Sequence, residues 1–253
     1  MGFEVAAEVY DRFMGRYSTQ LAPQLADLAE VSGDRRAIDV GCGPGALTAE
    51  LVLRLGADRV AAVDPSEPFV AAARVRHPGV DIRRASAEAL PFAEGAFDVA
   101  LAQLVVHFMS DPVTGLQEMA RVTRPSGVVA ACVWDYGGGR GPLGVFWDAA
   151  RALDPGVEGE SELPGTREGH LIELFAAAGL AEVIGQTLTV RLEHPTFESW
   201  WEPFTLGVGP AGSYVASLDP ERQAALRERC RRMVSDAPFA VVAHAWAARG
   251  RSS

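Results

Sequence analysis

Residues able to hold a ligand are concentrated in the segment Ala37-Ile38-Asp39-Val40-Gly41-Cys42-Gly43-Pro44-Gly45-Ala46. Gly41, Gly43 and Gly45 follow a short β-branched run and precede a segment of helical period. Glycines let a backbone come close to a ligand, and the N-terminus of the following helix offers unpaired N–H groups with positive partial charge. A carboxylate or a phosphate suits that position. Downstream, Ala61-Ala62-Val63 ends in Asp64, about 20 residues past the turn, where a carboxylate can accept hydrogen bonds from ribose hydroxyls. Gly41-x-Gly43-x-x-Ala46 also satisfies the relaxed dinucleotide fingerprint, so the turn and Asp64 leave the cofactor open.

A site of this kind needs a strand to deliver the turn and a helix to follow it. Between Ala37 and Trp134, β-branched runs alternate with helical segments, the pattern of βαβ units and a mainly parallel sheet. Strands are expected at Ala37–Val40, Arg59–Val63, Val80–Arg84, Phe97–Ala102 and Gly127–Trp134, and helices at Ala46–Leu55, Pro68–Arg76 and Pro112–Thr123. Leu47, Leu51 and Leu55 recur every fourth residue and lay one apolar stripe against the sheet, with Gly56 as the stop signal. Beyond Trp134, the run Asp135-Tyr136-Gly137-Gly138-Gly139-Arg140-Gly141 reads as a flexible loop. Helices follow near Leu143–Leu153 and Thr166–Gly179, then a strand at Glu182–Glu193. The stretch from Pro195 to Ala237 is helical in pattern, broken by Pro203, Gly207, Gly209 and Pro210, and Phe239–Ala248 closes the chain as a seventh strand. The expectation is an α/β fold: a seven-stranded, mostly parallel sheet with helices on both faces and helical cap insertions. Residues 1–253 would form a single domain, with a helical lead-in at 1–30, a core at 37–134 and insertions at 135–178 and 195–237.

Composition narrows the function classes. With 253 residues, 48% of them hydrophobic, the chain can bury a full core as one domain with or without a cap. Its apolar stretches are interrupted by Arg, Asp or Gly, well short of the roughly 20 residues that cross a bilayer, so a soluble protein is expected. The start Met1-Gly2-Phe3-Glu4-Val5 has neither a basic nor an apolar leader region, and Ala6 stands where a myristoylation signal has Ser or Thr. Neither secretion nor a lipid anchor is expected. Cys42, Cys132 and Cys230 are far apart with no metal-ligand or disulfide spacing, and read as reduced cytoplasmic thiols. A formal charge of −10 opposes binding to a phosphate backbone, and the basic run Arg227 to Arg232 is interrupted by Glu228 and Cys230, as on a solvated helix face. No metal is implied, and nothing in the pattern specifies an oligomer.

Three ordered segments resemble one family. Ile38-Asp39-Val40-Gly41-Cys42-Gly43-Pro44-Gly45 is similar to motif I of the class I S-adenosylmethionine (SAM)-dependent methyltransferases, an acid before a G-x-G-x-G turn. Ala85-Ser86-Ala87-Glu88-Ala89-Leu90-Pro91-Phe92, followed by Phe97-Asp98-Val99, resembles the adenine-side loop and fourth strand. Glu118-Met119-Ala120-Arg121-Val122-Thr123-Arg124-Pro125-Ser126-Gly127 resembles the E-x-x-R-V-L-x-P-G-G turn before the fifth strand. The likeness covers roughly residues 37 to 134 and falls in the branch that includes quinone-biosynthesis and natural-product tailoring enzymes, the methyltransferase type 11 domain. It implies a Rossmann-like fold, SAM as cofactor with S-adenosylhomocysteine as product, and a small-molecule acceptor. By position, Gly41, Gly43 and Gly45 would pack against the methionine moiety with Asp39 nearby, and Asp64 would hold the ribose. Ala87 would offer its backbone to the adenine, and Gln103 would lie near the methionine amino end. Ser86 stands where the family usually has Asp, and Ser126 where it has glycine. The run Tyr10-Asp11-Arg12-Phe13-Met14-Gly15-Arg16-Tyr17 resembles a lead-in helix that folds over the cofactor. Arg16 would then pair with the SAM carboxylate, a planar partner suited to a guanidinium, or else be a surface arginine on a packing helix. Tyr10, Phe13 and Tyr17 fall at helical spacing and read equally as core.

Methyl transfer from a sulfonium is an in-line displacement that depends chiefly on holding the acceptor close and aligned, without a metal or a covalent nucleophile. A hydroxyl acceptor needs a base near neutral pH. His107, in Leu104-Val105-Val106-His107-Phe108, follows the fourth strand at the edge where such sheets bind ligands. It is the candidate base, with a hydrogen-bonded structural histidine as the alternative. Phe146, Trp147, Phe197, Trp200, Trp201 and Phe204 would supply aromatic surface for an apolar or aromatic acceptor, with some of them packing the cap instead. An NAD(P)-dependent oxidoreductase is the alternative enzyme class, although a chain without lysine has no Tyr-x-x-x-Lys dyad. A non-methylating cyclase or sensor on the same fold is the other.

Overall fold

Alternation along the strands sets the layers. In β5 (Thr123–Trp134), Val128, Ala130, Cys132 and Trp134 join one hydrophobic cluster while Val129, Ala131 and Val133 join another, so one buried strand faces a core on each side. A computed structural model describes residues 7–234 and 238–252 of the chain. The other strands are β1 (Ala37–Val40), β2 (Val60–Asp64), β3 (Asp81–Arg84), β4 (Phe97–Gln103), β6 (Ala181–His194) and β7 (Phe239–Arg251). They form one sheet in the order β3-β2-β1-β4-β5-β7-β6. The strands from β3 through β5 are parallel to their neighbours, and β7 runs antiparallel to both β5 and β6. The expected seven-stranded, mostly parallel sheet is therefore present.

One core cluster joins α2 (Arg16–Leu28), α3 (Ala46–Leu55) and α6 (Gly144–Leu153) to the sheet, the other α5 (Pro112–Val122) and α7 (His170–Ala177). The remaining helices are α1 (Ala7–Tyr10), α4 (Glu67–Arg76), α8 (Phe197–Trp201), α9 (Gly209–Ser217) and α10 (Pro220–Met233). Leu47, Leu51 and Leu55 of α3 are buried as their spacing requires. Asp111 caps α5 by accepting from the N–H groups of Val113 and Thr114, and Pro112 fits the first turn, where no donor is needed.

Three segments differ from expectation. The helix expected over Thr166–Gly179 begins only at His170, because the buried Thr166 hydroxyl bonds the carbonyls of Ser161 (2.9 Å) and Leu163 (2.7 Å) and holds the preceding chain as turns. The lead-in is interrupted by a π-helical turn at Asp11–Gly15 between α1 and α2; residues 1–6 of the expected 1–30 lead-in lie outside the described residues. From Pro195 the chain breaks into α8, a 3-10 turn at Glu202–Leu206, α9 and α10, while residues 235–237 of that expected insertion lie outside the described residues. No described helix is long and apolar enough to cross a membrane.

The strand order fixes where a ligand can sit. β1 lies between β2 and β4, so successive connections wind away from it in opposite directions and leave a crevice past its C-terminal end. The glycine turn and the ends of β2 and β4 all open there.

Candidate active site

The glycine turn is hung from the end of β2, where the Val63 carbonyl accepts from the N–H groups of Gly41 (2.8 Å) and Cys42 (2.9 Å). All three glycines have positive φ, at 73° for Gly41, 53° for Gly43 and 103° for Gly45. They differ in what surrounds them. A Cβ on Gly41 would strike Val105 and one on Gly45 would strike the His77 ring, so these two are needed for close packing of the protein on itself. A Cβ on Gly43 would meet nothing within 4 Å, because Gly43 faces an open cavity.

That cavity has a volume of about 690 Å³. Gly41, Gly43, Asp64, Ser86, Ala87 and Gln103 line it, as do His107, Trp134, Tyr136 and Glu160. Asp64 is 6% exposed, and its carboxylate accepts from the N–H of Gly43 through Oδ2 and that of Ser66 through Oδ1, both at 2.8 Å. Burial raises its pKa above the usual carboxylate value, against the pull of those two donors. Gln103 ends β4; its Nε2 donates to the Ser18 carbonyl at 3.0 Å, which leaves Oε1 buried without a partner. Leu104 next to it takes a left-handed φ of 61°, and its N–H bonds the Cys132 carbonyl at 2.8 Å. Such a conformation is costly for leucine and turns the chain over the cavity.

The adenine-side loop is held from α5. Glu118 accepts from the Leu90 N–H at 2.9 Å, while Arg121 pairs with Glu118 and donates to the carbonyls of Phe92 (2.9 Å) and Leu90 (3.0 Å). The Glu and Arg of the third motif thus fasten the loop that carries the second. Ser86 is exposed at the rim, whereas Ala87 is buried.

Not every expected site residue reaches the cavity. Asp39 lies beneath the turn, 1% exposed, with Oδ2 accepting from the Thr48 hydroxyl at 2.7 Å and Oδ1 unpartnered, and burial pushes its pKa up to about 7. Gly45 likewise supports the turn from behind. Arg16 faces the other way: its guanidinium donates to the carbonyls of Ser199 (3.3 Å) and Glu193 (3.4 Å), tying α2 to the chain around α8. Its pairing with a ligand carboxylate in the cavity is therefore withdrawn. His107 does line the cavity, but its Nδ1 has no hydrogen-bond partner and burial lowers its pKa to about 3. Burial therefore favours the neutral imidazole over the imidazolium. The expected aromatic wall is also corrected. Phe146, Trp147, Phe197, Trp200, Trp201 and Phe204 lie outside the cavity and pack on one another, as in the stacked Phe146–Phe204 pair with centroids 4.5 Å apart. Tyr10, Phe13, Phe69, Phe108, Trp134 and Tyr136 line it instead, so the lead-in covers the site through Tyr10, Phe13 and Met14.

Residues 38–131 match the family described as a methyltransferase domain. A relative from Mycobacterium sp. (strain JLS), described as an uncharacterized methyltransferase, is 31% identical over 215 residues, covering 81% of this chain and 84% of its own. The chain is a class I SAM-dependent methyltransferase. Solved structures share the fold: the YcgJ protein from Bacillus subtilis superposes with a TM-score of 0.60 at 18% identity, covering 93% of this chain and 98% of its own. Geranyl diphosphate C-methyltransferase from Streptomyces coelicolor A3(2), in complex with Mg2+, geranyl diphosphate and S-adenosylhomocysteine, gives a TM-score of 0.54 at 17% identity, covering 94% of this methyltransferase and 80% of its own chain. The dinucleotide alternative left open by the glycine turn is not favoured by these comparisons.

The residues present fit SAM. Gly43 offers a cradle that any side chain would fill, Asp64 brings a carboxylate to the lining, and the buried, unpartnered Gln103 Oε1 is an acceptor suited to an ammonium group. Sequence reasoning missed Glu160 and Tyr136 as cavity residues, and the loop-fastening work of Glu118 and Arg121. Glu160 lies in the acidic run Glu158-Gly159-Glu160-Ser161-Glu162, whose composition resembles a solvated loop and gives no signal of burial.

Proposed function

We propose that this methyltransferase moves the methyl group of SAM to a small, apolar or aromatic acceptor held in the same cavity. The observation that carries this reading is one continuous space whose walls differ in kind. One wall is the turn with Asp64, Ala87 and Gln103; the other is Phe13, Trp134, Tyr136, Leu143, Val208 and Ala211. In this reading, the cofactor supplies an electrophilic methyl group on a sulfonium, and the protein supplies placement. Asp64 holds the ribose, Gln103 Oε1 accepts from the amino group, and Gly41 and Gly43 shape the methionine end above Asp39 and Gly45. Ala87 packs at the adenine with Ser86 at the rim as a weaker reader of the ring. His107 serves as a neutral hydrogen-bonding group and not as the base.

Residues 7–30 and the insertions 135–178 and 195–234 act as a cap over the core 37–134, within a single domain. Tyr10, Tyr136, Leu143, Val208 and Pro210 supply its contacts to the acceptor space. Excluding water while aligning two reactants is how such a cap accelerates a displacement. A cytoplasmic site of action is supported by three buried, unpaired cysteines, and the charge of −10 speaks against a nucleic-acid acceptor.

Calorimetry tests the cofactor side of this reading. SAM and S-adenosylhomocysteine are expected to bind saturably, NAD and NADP not to bind, and Gly43→Val to abolish binding while the protein stays folded. Unimpaired binding to Gly43→Val would place the cofactor elsewhere.

A further inference from the structure

Glu160 is a carboxylate of the cavity whose position the cofactor reading does not use; Glu88, the other, accepts from the N–H groups of Ser110 and Asp111. It belongs to the chain between α6 and α7 and is 2% exposed, yet it borders the cavity. The Trp147 indole N–H donates to its Oε2 at 2.9 Å, and no described residue bonds Oε1. Its backbone is fixed from several directions. Gly159 sits against the Trp147 ring so closely that a Cβ would lie 3.3 Å from it, the Glu160 carbonyl accepts from the Leu163 N–H at 3.3 Å, and Thr166 closes the turn and bonds the Gly137 N–H at 3.0 Å through its carbonyl. Oε1 is therefore the acceptor that this carboxylate leaves for a ligand in the cavity.

The charges around it narrow the ligand. Asp64, Glu88 and Glu160 are the charged side chains of the lining, and no Arg is among the described residues that form it. An acceptor bearing a carboxylate or a phosphate would find no guanidinium in this lining and would meet the Glu160 carboxylate. Tyr136 after β5, raised above the usual tyrosine value by burial and further by the Glu160 charge, faces this carboxylate, while Tyr10 on α1 and His107 after β4 line the same cavity. On α6, the Arg151 guanidinium lies beside Gly159 and is engaged by Asp148 at 3.0 Å.

We propose that Glu160 is the acceptor-side catalytic residue, whose carboxylate binds the hydroxyl of an uncharged acceptor and takes the proton which that hydroxyl gives up on methylation. This rests on the methyl-transfer reading above and names the acceptor class within it. As the acceptor oxygen forms its new bond to the methyl carbon, the carbon–sulfur bond breaks with its electron pair left on sulfur, and the O–H proton passes to Glu160. A sulfonium and a carboxylate enter; a neutral thioether, a neutral methyl ether and a neutral carboxylic acid leave. Charge is cancelled and none is created, so an apolar cavity favours the step. Burial raises the Glu160 pKa to about 7, which suits a group that must be ionised to start and hold a proton afterwards.

The test uses the full-length protein saturated with S-adenosylhomocysteine and three probes of one size: 2-naphthol, 2-naphthoate and naphthalene. Glu160→Gln keeps the acceptor oxygen for Trp147 and removes the charge. By calorimetry, wild type should bind 2-naphthol at least tenfold tighter than 2-naphthoate or naphthalene, and Glu160→Gln should lose that preference with unchanged affinity for S-adenosylhomocysteine. With radiolabelled SAM, methylation of 2-naphthol should accelerate as pH rises through about 7 in wild type. In Glu160→Gln it should be at least 100-fold slower and flat with pH, with partial recovery in Glu160→Asp. Equal binding of the naphthoate, no binding of any probe to a protein that binds S-adenosylhomocysteine, or an unaltered Glu160→Gln would each overturn the assignment. Failure of wild type to bind S-adenosylhomocysteine would instead overturn the methyl-transfer reading beneath it.

Discussion

Gln103 Oε1 and His107 Nδ1 are buried polar atoms left without protein partners at the edge of one cavity. Leaving such an atom unpaired costs about 1–3 kcal/mol, so two of them around one space argue for a ligand that completes both. Glu160 adds a pH signature. Its carboxyl is raised from the ordinary 4.5 to about 7 by burial, against the Trp147 hydrogen bond. The folded chain then holds this proton more tightly than the unfolded chain. Its contribution to stability is present in full below about pH 4.5 and is lost as pH rises through about 7. Glu160→Gln has no such loss. Between about pH 5 and 8 the unfolding free energy of the variant should therefore gain about 2–3 kcal/mol on wild type, read from urea unfolding at both pH values. An unchanged difference would mean that this carboxyl is solvated. At this scale the glycine-turn side of the cavity was legible in the sequence, because Gly43 follows β1 while Asp64 and Gln103 end β2 and β4. Glu160 was not. Glu160 owes its burial to Trp147 and to the turns closed by Thr166, contacts that no local spacing encodes.

Elements show the same division. β1 and α3 were legible to the residue, since a short strand, a glycine turn and leucines at every fourth position specify them locally. The lead-in was legible as helical but not as carrying a π-helical turn, which places Phe13 and Met14 against the cavity. The aromatic run of α8 packs outside the cavity, which the sequence left open because aromatic residues in a cap serve packing and binding equally well by composition. The bend at Ser126, near the start of β5, gives a prediction of its own. Ser126 holds φ at 63°, a left-handed value that glycine takes at no cost, while its N–H bonds the Ser252 carbonyl at 2.9 Å. Ser126→Gly removes strain of about 1 kcal/mol or slightly more without touching that bond. Melting temperature should rise by about 2–4 °C, as measured by scanning calorimetry, with cofactor affinity unchanged. A lower melting temperature would mean that the hydroxyl, and not the backbone, is what this position needs.

At the scale of the molecule, the sheet order β3-β2-β1-β4-β5-β7-β6 brings the ends of β1, β2 and β4 to one crevice, and residues of the lead-in and of the segments after β5 and α8 complete its lining. The groups that line the cavity thus come from distant parts of the chain, Phe13, Gly43, Gln103, Glu160 and Val208 among them. The central claim is that they enclose one reaction space, and a crystal structure of the S-adenosylhomocysteine complex tests it most directly. The expected result has the ribose hydroxyls on Asp64, the amino group on Gln103 Oε1, and the sulfur opening onto empty space bounded by His107, Tyr136 and Glu160. A ligand whose carboxylate sits on Arg16, or whose sulfur faces away from Glu160, would contradict it.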